Sequence, residues 1–249
     1  MNTPQLPKYR ILLLGDDCED VYQYGTVDRL SPEAPVPIFK INRIEKKPGM
    51  AGNVKKNLEN LGCVVRYLCG ETSTKTRLID EKSMQHIVRI DDDVESERIE
   101  YSFLDLHDYD AIVVSDYNKG AIDYATIKNL RKEFAGPIFV DTKKTDLAQF
   151  EGCIVKINNT EFKNAKTYCK ELIVTHGDKG VLYKGDMYPT NTVNVADVCG
   201  AGDTFLAALT FQFLETRMMS EAIVFAMAAA EITVQHVGVY APTLEEICG

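Results

Sequence analysis

Six short runs constrain the fold of this chain more than any other feature: ILLLG (11–15), VVRYLCG (64–70), AIVVSDY (111–117), PIFVDTK (137–143), CIVKIN (153–158) and ELIVTHG (171–177). Each is nearly continuous in apolar character and gives way to glycine, aspartate or asparagine. A strand with one wet face alternates polar and apolar residues. Strands without that alternation are covered on both faces, and such strands build parallel sheets. Helical periodicity fills several of the gaps. Val54, Leu58 and Leu61 share a face in 52–62, with Gly62 as a stop. In 123–134 Asp123 can cap, and Ile127, Leu130 and Phe134 align. Residues 204–215 and 221–235 are apolar nearly all round and predict buried helices. The alternation predicts an α/β fold, a doubly wound and mostly parallel sheet.

Two regions resist that pattern. Segment 31–49 is studded with proline and too polar for a central strand, and 74–91 reads as a hairpin around Glu81-Lys82-Ser83. Only three residues separate Gly70 from Thr74, while a parallel crossover needs a dozen or more. These pieces predict a small antiparallel β lid, with segments at about 21–45 and 74–91 inserted in one domain spanning 1–249.

With 45% hydrophobic residues the chain can fill a sizeable core, and its net charge of −9 argues against nucleic acid or an anionic membrane as partner. The N-terminal MNTPQLPKYR carries no apolar segment of signal-peptide type, and no run is long enough to span a bilayer. Seven cysteines without a CxxC pair suit a reducing, cytoplasmic setting, and four scattered histidines lack zinc-ligand spacing.

The chemistry concentrates in DVCGAGDTF (197–205). Gly200, Ala201 and Gly202 let backbone N–H groups point into one space. A helix starting near Asp203 adds positive partial charge there. That is an anion hole fit for a transferring phosphoryl group, with the Asp203 carboxylate beside it as general base. A plain helix cap and turn would use the same residues. GETSTKT (70–76) lacks the glycine before lysine of a P-loop, so any phosphate chemistry needs a different cradle.

DVCGAGDTF resembles the C-terminal signature of the ribokinase-like (PfkB) sugar kinases. Nearest within them are the heptose-7-phosphate kinases, including the kinase half of the bifunctional ADP-heptose synthesis enzymes. GDDCEDVYQYG (15–25), RLSPEAPVPI (29–38), PGMAGNV (48–54), SDYNKG (115–120), NNTEF (158–162) and THGDKG (175–180) carry the resemblance, in family order and across most of the chain. It implies ATP and Mg²⁺ as cofactors and a sugar or sugar phosphate as substrate, with heptose 7-phosphate at O1 ahead of other sugar phosphates or nucleosides. It implies Asp203 as catalytic base and Gly200, Ala201 and Gly202 as anion hole. Asp20, Gly49 and Asn53 would hold sugar hydroxyls. Asn158 and Glu161 would organise Mg²⁺ and phosphates through water, and Thr175, Gly177 and Gly180 would line the nucleotide. Lys119, Lys75 and Arg77 are candidates for a substrate phosphate, although a solvated surface cation is the plainer reading of each.

The sequence also departs from that family. Met50 stands where a second glycine is usual and would reshape the sugar pocket; Met227 replaces an asparagine near the nucleotide, and Val239 a threonine. Cys199, near a helix N-terminus, invites a lowered thiol pKa. The chain is short between Gly70 and Thr74 and between Glu161 and Leu172, and its 249 residues hold no nucleotidyltransferase half. These losses keep open a second reading, a catalytically impaired sugar- or nucleotide-binding protein. The lid-like segment 31–49 favours a homodimer.

Overall fold

Successive residues of the inner strands sort into two separate cores. The computed structural model describes residues 9–249, so the reading of the N-terminus concerns residues lying, up to residue 8, outside those described. In chain order the main elements are β1 (Arg10–Leu30), β2 (Pro37–Gly49), α1 (Met50–Asn60), β3 (Val64–Asp80), β4 (His86–Asp92), β5 (Ala111–Asp116), α2 (Tyr124–Glu133) and β6 (Ile138–Thr142). Then come β7 (Ile154–Asn158), α3 (Asn159–Asn164), β8 (Leu172–Thr175), β9 (Val181–Tyr183), β10 (Asp186–Tyr188), α4 (Ala201–Thr216), α5 (Met219–Thr233) and α6 (Leu244–Cys248).

The sheet order is β10-β9-β8-β7-β6-β5-β1-β3-β4, and β1, β3, β5, β6, β7 and β8 run parallel where they pair. Ile11, Leu13, Val113 and Phe139 face one core with α1, α4 and α5. Their neighbours Leu12, Leu14, Val114 and Val140 face the other, with Ile127 and Leu130 of α2. Both faces are dry, which is why these strands read as unbroken apolar runs. The predicted caps are in place. Asp123 accepts from Thr126 N at 2.6 Å, and Gly62 ends α1 at φ 87°. No helix among the described residues is long and apolar enough to cross a membrane.

The lid corrects one part of the expectation. Residues 64–70 and 74–80 are a single strand, β3, parallel to β1 along its length as far as Gly25↔Asp80. No crossover is needed, because Glu71 to Ser73 stay extended and the chain never leaves the ladder. The outer pairs are antiparallel, β2 on β1 and β4 on β3 across the turn at 81–85. The lid is therefore four strands whose two inner members emerge from the main sheet.

Gly15 marks the point where α1 crosses that sheet. An added Cβ would lie 2.4 Å from the Ser115 carbonyl oxygen and 2.8 Å from Ala51 Cβ. Both neighbours are too stiff to move aside. Gly15→Ala is expected to cost about 1–3 kcal/mol, as overpacking does. Calorimetry should record a Tm lower by roughly 2–4 °C per kcal/mol; an unchanged Tm would refute this close approach.

Candidate active site

The carboxyl ends of β5, β6 and β7 deliver Asp116, Asp141 and Asn158 to one end of the sheet. The turn before α4 closes over them, forming a cavity of about 120 Å³ lined also by Tyr117, Lys143, Lys156, Glu161, Gly200, Gly202 and Asp203. A crevice at this end of an open parallel sheet is where ligands of such folds bind.

Asp203 lies in the first turn of α4 and is 5% exposed. Its Oδ2 accepts from Asn53 Nδ2 at 2.9 Å and its Oδ1 from the Tyr117 hydroxyl at 3.0 Å. Burial raises its pKa from 3.8 to about 6; the Asp141 charge adds to this, while Asn53, Lys156 and Tyr117 act the other way. The carboxylate is still mostly ionised at neutral pH, as a base must be.

Close approach explains the glycines of the turn. Gly200 sits at φ 80°, and a Cβ there would be 2.8 Å from Asn53 Nδ2. A Cβ on Gly202 would be 2.8 Å from Lys156 Nζ. The bare Cα atoms let an amide and an ammonium reach the start of α4, where the first-turn N–H groups have no acceptor within the helix. Lys156 is 3% exposed and pairs with Asp141 at 2.7 Å. Burial favours its neutral form, but Asp141, with Glu161 and Asp203, outweighs this and raises its pKa, so it stays a cation.

Beneath the lid, Arg77 donates to Asp20 Oδ1 at 2.5 Å, both side chains being buried. A Cβ on Gly49 would be 2.5 Å from Asp20 Oδ2, so Gly49 packs directly on that carboxylate. Arg77 also reaches Cys199 Sγ at 3.7 Å, which joins this group to the turn carrying Gly200. Asp20, Gly49, Asn53, Arg77 and Asp203 thus gather around one turn.

The remaining expected residues are placed differently. Asn158 and Glu161 form a capping box on α3: Asn158 Oδ1 accepts from Thr160 N and Glu161 N, and Glu161 Oε2 accepts from Asn158 N at 2.7 Å. Thr175 is the register partner of Asn158 on the neighbouring strand. Gly177 and Gly180 flank the short turn after it, and Gly180 is required there because a Cβ would meet the Tyr188 carbonyl oxygen at 2.0 Å. Lys119 is tied to Asp93 at 2.5 Å. The Lys75 ammonium stands 5.8 Å from the Tyr117 ring centroid and that of Lys143 4.6 Å. Met50 is buried at φ 47°, the left-handed region that suits the glycine usual at this position. Met227 belongs to the core on the α4–α5 side, and Val239 packs on Gly200. The expected activation of Cys199 is reversed. Burial, then the charges of Asp20, Asp197 and Asp203, push its thiol up, outweighing Arg77.

Lys156, Asp141, Asp116, Tyr117 and Lys143 were not among the expected site residues. The signal for them is a charged or polar residue at the end of an otherwise apolar run, as in FVDTK and IVKIN.

The donors present suit a magnesium ion held through water. Among the described residues no group of three or more His, Cys, Asp or Glu could hold a metal directly. Mg²⁺ at a phosphoryl site keeps several waters and needs only one or two carboxylates. Asp141 raises the pKa of both Glu161 and Asp203, a local surplus of negative charge that suits a hydrated divalent cation.

Known proteins share this arrangement. The pfkB family carbohydrate kinase pattern matches residues 152–247, which hold Lys156, Asn158, Glu161 and the Gly200–Asp203 turn. The chain belongs to this family. The bifunctional protein HldE of a Nitratiruptor species is 32% identical over 300 residues, covering 96% of this chain and 64% of the relative. HldE of Helicobacter pylori is 30% identical over 305 residues, again with 96% and 65% coverage. The chain thus spans just under two thirds of these relatives. Both alignments are longer than its own 249 residues, so the relatives carry segments inside the shared region that this chain lacks. Ribokinase from Thermotoga maritima shares the fold at TM-score 0.72 with 20% identity, covering 96% of this chain and 98% of the other. A ribokinase of Arabidopsis thaliana solved with ribose and ATP does so at 0.71 with 18% identity, covering 96% and 97%.

The raised Asp203 pKa fixes a sign for stability. A carboxyl group whose folded-state pKa lies above its unfolded value favours the folded state while protonated, and that contribution is lost as pH rises through about 6. A shift of this size is worth on the order of 3 kcal/mol. Asp203→Asn should therefore melt above the wild type at pH 8, with the gap closing towards pH 4. A variant melting lower at pH 8 would contradict the buried, costly charge.

Proposed function

We propose that this chain is an ATP-dependent kinase that phosphorylates a hydroxyl of a sugar phosphate, with heptose 7-phosphate at O1 as the leading acceptor. The observation carrying this is the buried Asp203 carboxylate at the start of α4, held by Asn53 and Tyr117 and facing Lys156. The family and the HldE relatives support the heptose assignment, and ribokinase structures solved with ATP or ADP support the nucleotide.

Asp203 takes the proton of the attacking hydroxyl. The N–H groups of the 200–202 turn and the Lys156 ammonium face the charge that builds on the transferring phosphoryl oxygens. Glu161 and Asn158, with Asp141 nearby, would hold a hydrated Mg²⁺, which supplies charge neutralisation on the phosphates. Asp20 and Asn53 present acceptors and donors to the sugar beside Gly49. Arg77 orders Asp20, and its charge is already met there. Lys75 from the lid and Lys143 from the base form no ion pair among the described residues. These two flank Tyr117 and would receive the acceptor's own phosphate.

The lid carries exposed Leu30, Ile41 and Ile44 on one side and Ile90 on the other. They would cover one another in a homodimer, and Ile44→Lys with Ile90→Lys should give monomers by sedimentation. Sedimentation of the wild type as a monomer would remove that pairing.

ADP release on a panel of sugars and sugar phosphates tests the activity. Asp203→Asn should lower kcat on the order of 10²-fold or more. Lys75→Ala with Lys143→Ala should raise KM for phosphorylated acceptors about tenfold and leave KM for ATP unchanged, the loss expected of one charge-assisted contact. Full turnover in Asp203→Asn would remove the assigned base. Tight sugar binding without turnover would favour the impaired binding protein, to which the strained Met50 backbone also points.

A further inference from the structure

We propose that Tyr117 is a positioning residue for Asp203, and that the buried Asp16 carboxylate is the anchor that keeps Tyr117 in place. The consequence for turnover rests on Asp203 being the base; the positioning is a property of the folded chain itself.

The loop 116–121 has no ladder to hold it. Asn118 sits at φ 59° and Gly120 at φ 107°, so its N–H groups turn inward without strand partners. Asp16, 1% exposed, supplies the acceptors. It falls where the β1–β3 register shifts between Gly15 and Asp17. Its Oδ2 accepts from Tyr117 N at 2.7 Å and Lys119 N at 3.2 Å, and its Oδ1 from Ala121 N at 3.3 Å. A buried carboxylate is costly unless its oxygens are bonded. Here three backbone amides meet the cost, and one loop is locked in return. Asp116 fixes the loop from the other side. It pairs with Lys144 at 2.8 Å and accepts from Thr142 Oγ1 at 2.6 Å and Asn118 N at 2.9 Å.

What this grip delivers is one hydroxyl. An aspartate carboxyl rotates broadly about its last torsion. Asn53 on one oxygen and Tyr117 on the other remove that freedom from Asp203. The charged and titratable groups facing Asp203 are Asp141 from β6, Lys156 from β7, Tyr117 from the loop after β5 and Cys199 from the turn before α4. Burial, and then the charges of Asp203 and Asp141, push the phenol far up, so it remains a donor at every working pH. Its bond favours the ionised carboxylate, against burial.

Carboxyl ¹³C NMR titration of the full chain tests this without any substrate. Asp203→Asn identifies the resonance that titrates near 6. Tyr117→Phe should move that midpoint upward by about half a unit or more, the scale of one lost hydrogen bond. Asp16→Asn should move it the same way. In the ADP-release assay Tyr117→Phe should shift the acid limb of the rate profile equally and lower kcat about tenfold, with KM for ATP within about twofold. An unmoved midpoint in Tyr117→Phe overturns the proposal. A folded Asp16→Asn with an unmoved midpoint overturns the anchor. A moved midpoint alongside undiminished turnover in Asp203→Asn would leave the positioning intact and instead refute the base.

Discussion

Keeping the Asp203 carboxylate out of water sets the terms for everything around it. A bare buried charge is costly, so donors must reach it from several elements at once. Asn53 comes from α1, Tyr117 from the loop after β5 and Lys156 from β7. They converge only because Gly200 and Gly202 have no side chains to hold them off. The glycines of the turn therefore do two jobs. They expose main-chain N–H groups, and they leave room for the groups that make the carboxylate tolerable. Dipoles and charges fixed in place before reaction are what an electrostatic catalyst requires.

The sheet was legible because both of its faces are dry. Each inner run, such as ILLLG or AIVVS, announces itself without reference to the rest of the chain. The turn at 200–203 was legible for a similar reason, since a glycine pair before an aspartate and an apolar helix is a local pattern. The lid was read less well. GETSTKT holds a glycine and three threonines, and it looked like an interruption, yet β3 runs straight through it because β1 lies alongside for support. Propensity yields to pairing when a neighbour supplies the ladder.

Charged residues were hardest to read, since sequence shows a charge but not what neutralises it. Arg77 and Lys119 look alike as free cations in the chain, yet one is matched to Asp20 and the other to Asp93. Lys156 looks like an intrusion in a strand and proves to be a buried ammonium beside the turn. Asn158 and Glu161 keep their family spacing while closing a capping box. A helix cap and a phosphate-side pair are compatible uses of the same two residues, because the cap engages only one oxygen of Glu161.

The strands shared by sheet and lid have a mechanical consequence. A cover joined by slack loops swings freely; one that continues two structural strands must flex like a cantilever, storing elastic work as it lifts. The weakest section of that beam is the irregularity at Gly15–Asp17. Asp16 lies within it, so any opening of the roof pulls first on the carboxylate that grips the 117–121 loop.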